Sequence, residues 1–150
     1  MILDALLQLS SGQTITATAD STNTIDLGVG RDLGIGDDPT VKIVCFTGAN
    51  AWTTCTSLNI QVLESADGTN WYIASESGVI AVALLTANAK VWETSLAHRN
   101  VALAGAPPRY IKLSYVIAGS NAGGPALITS YLTMDVQAAP AYPPGIVISN

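Results

Sequence analysis

His98 is the sole histidine of the chain and sits beside Arg99 in an expected loop. Nucleophilic catalysis needs a nucleophile, a base and an orienting group within hydrogen-bond reach. No Gly-x-Ser-x-Gly elbow accompanies His98, so it reads as a surface residue. Cys45 lies inside an apolar run, residues 41–46, where a free thiol behaves as a small buried hydrophobe. A bridge to Cys55 is the alternative, and neither cysteine has the paired spacing of a zinc site. Asp37 and Asp38, with Asp32 nearby, could offer oxygen ligands to calcium. The closing glutamate of a calcium loop is missing, so a solvated acidic turn is the better reading.

Other candidates fail on spacing. Gly28-Val29-Gly30-Arg31-Asp32-Leu33-Gly34 follows a strand pattern, as a dinucleotide loop would. Its third glycine comes one residue late, and no helix follows to receive a pyrophosphate. Glu64, Glu76 and Glu93 fall on different expected strands, which gives no carboxylate pair for glycoside hydrolysis. Trp52, Trp71 and Trp92 could stack on sugars, but tryptophan more often fills a core or anchors an interface. No enzymatic constellation, metal site or cofactor is expected.

Composition narrows the class further. The 150 residues make one domain, 49% hydrophobic and only 11% charged. A typical soluble domain carries roughly 25% charged residues. The surface must therefore be dressed in Ser, Thr and Asn, or partly buried against another subunit. Six basic residues oppose eleven acidic ones for a net charge of −5, and the basic ones are scattered. Nucleic acid and anionic membrane surfaces are unlikely partners on this charge alone, since both demand clustered Lys and Arg. The longest aliphatic run, 79–85, is far short of a spanning helix of ~20 residues. Met1-Ile2-Leu3-Asp4 lacks a basic region, so no secretory leader is expected and folding is expected in the cytoplasm.

The elements that must position these residues read as strands. Period-two patterns predict strands at 14–19, 22–27, 41–47, 57–65, 70–75, 79–85, 90–96, 110–117 and 126–136. Asp67-Gly68 predicts a hairpin tip, because Asp-Gly tolerates the positive φ of tight turns. Eight or nine short strands at this spacing predict an all-β, antiparallel sandwich or barrel in one domain over 1–137. Its first ten residues would form an apolar N-terminal segment with a turn or two of helix. Residues 138–150 read as an extended arm, because Pro140, Pro143 and Pro144 cannot donate to a sheet. Both ends are apolar. Met1, Ile2, Leu3, Leu6 and Leu7 at the start, and Tyr142, Ile146, Val147 and Ile148 at the end, are candidate contact residues, with Arg31 and Asp32 at a polar rim.

Several stretches resemble one family. They are Met1-Ile2-Leu3-Asp4, Gln13-Thr14-Ile15-Thr16-Ala17-Thr18, Ile25-Asp26-Leu27-Gly28 and Arg31-Asp32-Leu33-Gly34-Ile35-Gly36. Glu64-Ser65-Ala66-Asp67-Gly68, residues 109–115 and Met134-Asp135-Val136 continue the likeness in order along the chain. Together they resemble the jelly-roll capsid cement proteins of short-tailed bacteriophages, of the Bordetella-phage type. That resemblance implies a jelly-roll sandwich on the outer surface of the assembled head. It would clamp neighbouring major capsid subunits, without catalysis, as a homo-oligomer (a dimer, with a trimer as alternative). It implies a place in the virion after assembly in the host cytoplasm. A virion-surface carbohydrate-binding sandwich and a tail or neck adaptor are the competing readings.

Overall fold

The computed structural model describes residues 5–28, 41–96, 108–122 and 126–133. Within them the chain is all β, apart from two single 3-10 turns at Ala5–Leu7 and Val82–Leu84. The strands are β1 (Gln8–Thr14), β2 (Ala19–Asp20), β3 (Ile25–Asp26), β4 (Lys42–Thr47) and β5 (Cys55–Ser65). They continue as β6 (Tyr72–Glu76), β7 (Ile80–Ala81), β8 (Lys90–Ser95), β9 (Tyr110–Gly119) and β10 (Leu127–Thr133).

Two antiparallel sheets result. Sheet A has the order β1-β10-β4-β8. Sheet B has the order β2-β9-β5-β6, with β3 also beside β9 and β7 also beside β5. β2 and β3 thus share one strand position, and β6 and β7 another. The chain then pairs first position with last, second with seventh, third with sixth and fourth with fifth. This is a long antiparallel ribbon rolled into a sandwich, the jelly-roll arrangement.

Alternation decides which side chains meet in the middle. Leu9, Ile43, Cys45, Ile128 and Leu132 from sheet A face Leu58, Ile60, Val62, Ile111, Leu113, Tyr115 and Ile117 from sheet B, in one buried cluster. Trp52 and Leu85 close the cluster at one end, and Trp92 packs against it half-buried. Cys45 and Cys55 are both buried and unbonded, so the bridge is not made.

The sandwich is also stitched by a buried polar chain. Ser10 Oγ donates to Gln13 Oε1 at 2.7 Å. The amide orientation of Gln13 is fixed by its neighbours: Oε1 accepts from the Thr22 N–H at 2.9 Å, and Nε2 donates to the Asp20 carbonyl at 2.7 Å. With its proton committed, Ser10 Oγ must accept from the Tyr115 hydroxyl at 2.8 Å. Tyr115 in turn must accept from Ser130 Oγ at 2.7 Å. Ser130, Tyr115, Ser10 and Gln13 therefore form one directed chain from sheet A to sheet B, back to sheet A and on to the β1–β2 corner. Burial pushes the Tyr115 hydroxyl pKa up, which keeps it protonated as a donor.

Four expectations are corrected. Residues 14–19 are not a strand: Ile15 is buried but Ala17 is exposed, and the strand runs earlier, over Gln8–Thr14. The chain needs residues 15–18 to cross between sheets, so their alternation is incidental to a bend. The expected strand 22–27 shortens to Ile25–Asp26, because the chain turns at Ser21, whose Oγ donates to the Asn23 carbonyl, and Asn23 donates to the Gln8 and Leu9 carbonyls of β1. The expected strand 79–85 pairs only at Ile80–Ala81 before turning at Val82–Leu84. The N-terminal segment forms the single turn Ala5–Leu7 and is already sheet from Gln8. The Asp67-Gly68 hairpin tip forms as expected: Gly68 has φ +75°, and Asp67 Oδ1 accepts the N–H groups of Thr69 and Asn70, both at 2.8 Å.

Removing the Tyr115 hydroxyl should strand buried polar groups. Tyr115→Phe is expected to cost about 1–3 kcal/mol in urea unfolding. Adding Ser130→Ala should recover part of that loss, because the stranded group goes too. A Tyr115→Phe protein as stable as the parent would show that the chain contributes nothing.

Candidate functional site

Strand register assembles one end of the sandwich. In sheet A, Thr133, Lys42 and Ser95 lie in one row across β10, β4 and β8, and Gln8 lies two rows further in, beside Tyr131. In sheet B, Ser65, Tyr110 and Asp26 form the matching row. Backbone bonds tie the rows to their surroundings: Leu96 N–H to the Val41 carbonyl at 3.1 Å, Leu27 to Arg109 at 2.8 Å and Arg109 to Ser65 at 2.9 Å. Six ends of the described stretches, at residues 5, 28, 41, 96, 108 and 133, thus lie at this end, and the 66–71 hairpin tip lies there as well.

Two of the expected contact residues, Leu6 and Leu7, fall among the described residues. Leu6 and Leu7 stand at this end, with Leu6 84% exposed and Leu7 38%. Met1, Ile2, Leu3, Arg31, Asp32, Tyr142, Ile146, Val147 and Ile148 lie outside the described residues. The stretches they belong to, 1–4, 29–40 and 134–150, all join the described chain at this same end. Sequence separation hides this convergence, because the rolled ribbon brings positions over a hundred residues apart into one row.

The electrostatics here are built from paired charges. Arg109 clasps Asp26 with two bonds, Nε to Oδ1 at 2.7 Å and Nη2 to Oδ2 at 2.8 Å. Its guanidinium also lies 4.9 Å from the Tyr110 ring centre. Lys112 bonds Asp20 at 2.7 Å and sits 4.2 Å from the Trp71 ring centre. The two pairs pin the two-residue strands β2 and β3 to β9, where backbone bonds alone are few. Both pairs are exposed and worth little singly. Bonds from Arg109 and from the Gly28 N–H hold the Asp26 carboxyl down at about 2. The Asp67 carboxyl is held well below its ordinary value by the Asn70 and Thr69 N–H groups of its own turn.

The chemical candidates separate in space. Glu64 is buried on the inner face of sheet B, whereas Glu76 bonds Asn59 and Gln61 on the outer face. Glu93 belongs to sheet A, bridging Lys42 and Lys90. The three carboxylates do not converge. Burial raises both cysteine pKa values, the wrong direction for a nucleophile. Trp52 is core, and the Trp71 face that a sugar would use already carries Lys112. Among the described residues no three His, Cys, Asp or Glu side chains cluster as metal ligands, and no helix is long and apolar enough to cross a membrane. His98, Asp32, Asp37, Asp38 and residues 29–34 lie outside the described residues.

Sequence reasoning missed the two acid–base–aromatic groups. Their signal was present only as Arg109-Tyr110 and Lys112 on one strand; their partners, Asp20, Asp26 and Trp71, are set by register.

A family model described as Bbp16 matches residues 9–128. No curated protein matches the chain.

The Asp26–Arg109 clasp makes a pH prediction. The folded carboxyl pKa is about 2 against an ordinary 3.8, so its small contribution is present above 3.8 and is lost as pH falls toward 2. Carboxyl-detected NMR should show Asp26 titrating near 2. Arg109→Gln should move that midpoint back up, and the gap in melting temperature between the two proteins should close on acidification. An unchanged midpoint in Arg109→Gln would rule the clasp out in solution.

Proposed function

The chain belongs to the Bbp16 family, whose name points to a Bordetella phage protein, and on that premise we propose that it is a capsid cement protein. It binds the outer surface of the assembled phage head and clamps neighbouring major capsid subunits. Its role is structural and non-catalytic, and its working form is a homo-oligomer, most simply a dimer.

The exposed Leu6 at one end of the sandwich is the observation that carries this reading. Leu6 projects from that end almost fully exposed, directly before a strand locked into sheet A. An apolar anchor on a rigid base suits insertion between subunits. The low charge supports the same reading, since interface cores are depleted of charged residues. A standard-size contact buries ~800 Å² per partner. Repeating it over a symmetric shell lets modest single affinities sum to a firm lattice. A site made by two capsid subunits at once also explains selectivity for the finished shell over free subunits.

Shells assembled from the major capsid protein alone provide the test. Purified protein is mixed with expanded shells, the shells are pelleted, and bound copies and shell melting temperature are measured. Saturable binding at a fixed ratio per capsid subunit, with a raised melting temperature, is expected, because a ligand selective for the intact state stabilises it. Leu6→Asp should weaken that binding at least tenfold while leaving the melting temperature of the free protein unchanged. A handful of copies per particle would overturn the cement role in favour of an adaptor. Failure to bind shells together with saturable glycan binding would favour the carbohydrate reading.

A further inference from the structure

The hairpin tip between β5 and β6 holds a reactive pair of residues. Asp67-Gly68 is the one Asp-Gly pair of the chain, and the chain has no Asn-Gly pair. In a flexible Asp-Gly peptide the glycine nitrogen attacks the aspartyl Cγ. The new C–N bond closes a five-membered succinimide, and one water leaves. Water then reopens the ring at either carbonyl, and opening at the main-chain carbonyl gives iso-aspartate. That product carries one extra methylene in its backbone. Glycine is the fastest neighbour for this reaction, because no side chain obstructs the ring. The turn nevertheless needs glycine here, since Gly68 holds φ +75°.

Both reacting groups are held by partners of their own. The nucleophile is the Gly68 nitrogen, and its N–H donates to Ser65 Oγ at 2.9 Å. The Ser65 hydroxyl in turn donates to Asp67 Oδ1 at 2.9 Å. The same oxygen accepts the N–H groups of Thr69 and Asn70, both at 2.8 Å. Asp67 Oδ2 accepts the side-chain amide of Asn70 at 2.6 Å. These donors stabilise the carboxylate and keep the carboxyl ionised well below its ordinary range. Ring closure needs the neutral acid instead, whose hydroxyl can leave as water. Closure must also bring Cγ onto the Gly68 nitrogen, and the carboxylate cannot turn without releasing its donors. The tip is backed by structure as well. Ser65 is 0% exposed and pairs with Tyr110 of β9. The Tyr110 ring lies 3.5 Å from where a Gly68 side chain would start.

We propose that Asp67-Gly68 is a latent iso-aspartate modification site, and that Ser65 and Asn70 are the positioning residues that keep it unreactive in the folded protein. Opening of the tip, without unfolding of the sandwich, is the event that releases the reaction. The extra methylene of the product then falls just beyond the Glu64–Tyr72 pair that ends the β5–β6 ladder. This inference stands apart from the cement reading, since its test uses free protein without shells.

Ageing the full chain at mildly acidic pH and physiological temperature tests this. After digestion, iso-aspartate at position 67 is quantified by electron-transfer fragmentation, which cleaves the Cα–Cβ bond that the modified backbone contains. The folded parent should isomerise at least tenfold more slowly than the same chain unfolded in guanidinium chloride. Ser65→Ala and Asn70→Ala should each raise the folded rate at least threefold, with the β-sheet circular dichroism retained. Two tip variants keep the test decisive if one of them fails to fold. Tyr115→Phe weakens the core without touching the tip, and it should age like the parent. The proposal is overturned if the folded parent ages as fast as the unfolded chain, or if the folded tip variants age no faster than the parent. It is equally overturned if Tyr115→Phe accelerates the reaction as much as the tip variants do, which would mean that global unfolding sets the rate.

Discussion

A hydroxyl in the middle of the sandwich sets the terms for the rest of the fold. Tyr115 reaches from sheet B to Ser10 and Ser130 of sheet A, and Ser10 passes the chain on to Gln13. Apolar packing alone is tolerant of small slips between two sheets. A directed line of hydrogen bonds is not, because each donor has one proton and each slip strands a buried polar group. The same line ends at Gln13, which bonds Thr22 and Asp20 and so shapes the crossing from β1 to β2. Sheet spacing, strand register and the first corner of the roll are thus coupled through four side chains.

The rolled ribbon then explains where contact residues gather. Pairing first strand with last places the Ala5–Leu7 turn and the end of β10 on one sheet and at one end of the sandwich. The opposite end is closed by side chains and short backbone links: Trp52 in the core, Asn121 bonding the Ile15 carbonyl, and Thr47 bonding the Ala89 N–H. The first end presents Leu6 and the paired charges. Short strands at the presenting end are held by exposed ion pairs rather than by long ladders. Local stability there is correspondingly modest, as it usually is where proteins meet partners.

A charge-poor surface fits this division. Four of the chain's six Lys and Arg side chains, Lys42, Lys90, Arg109 and Lys112, are spent on carboxylates of the same domain. The chain as a whole keeps its net charge of −5. Val44, Phe46 and Tyr131 on the outer face of sheet A are nonetheless buried.

Much of the fold was legible because strand alternation is a local property. Leu58, Ile60 and Val62, or Ile111 to Ile117, announce a buried face within a few residues, and Asp67-Gly68 announces its turn through the φ that glycine permits. Alternation misled at 14–19, where a bend copies the pattern without pairing. Leu6 and Leu7 were readable as apolar residues without a core of their own. The sequence by itself determined the class: apolar period-two strands and few charges make an all-β sandwich. Only the tertiary structure decided which residues meet. The partners of Tyr115, the clasp of Arg109 on Asp26 and the outward burial of Phe46 depend on register between strands up to a hundred residues apart. Register is a global quantity, settled by packing all strands at once, and no local pattern carries it.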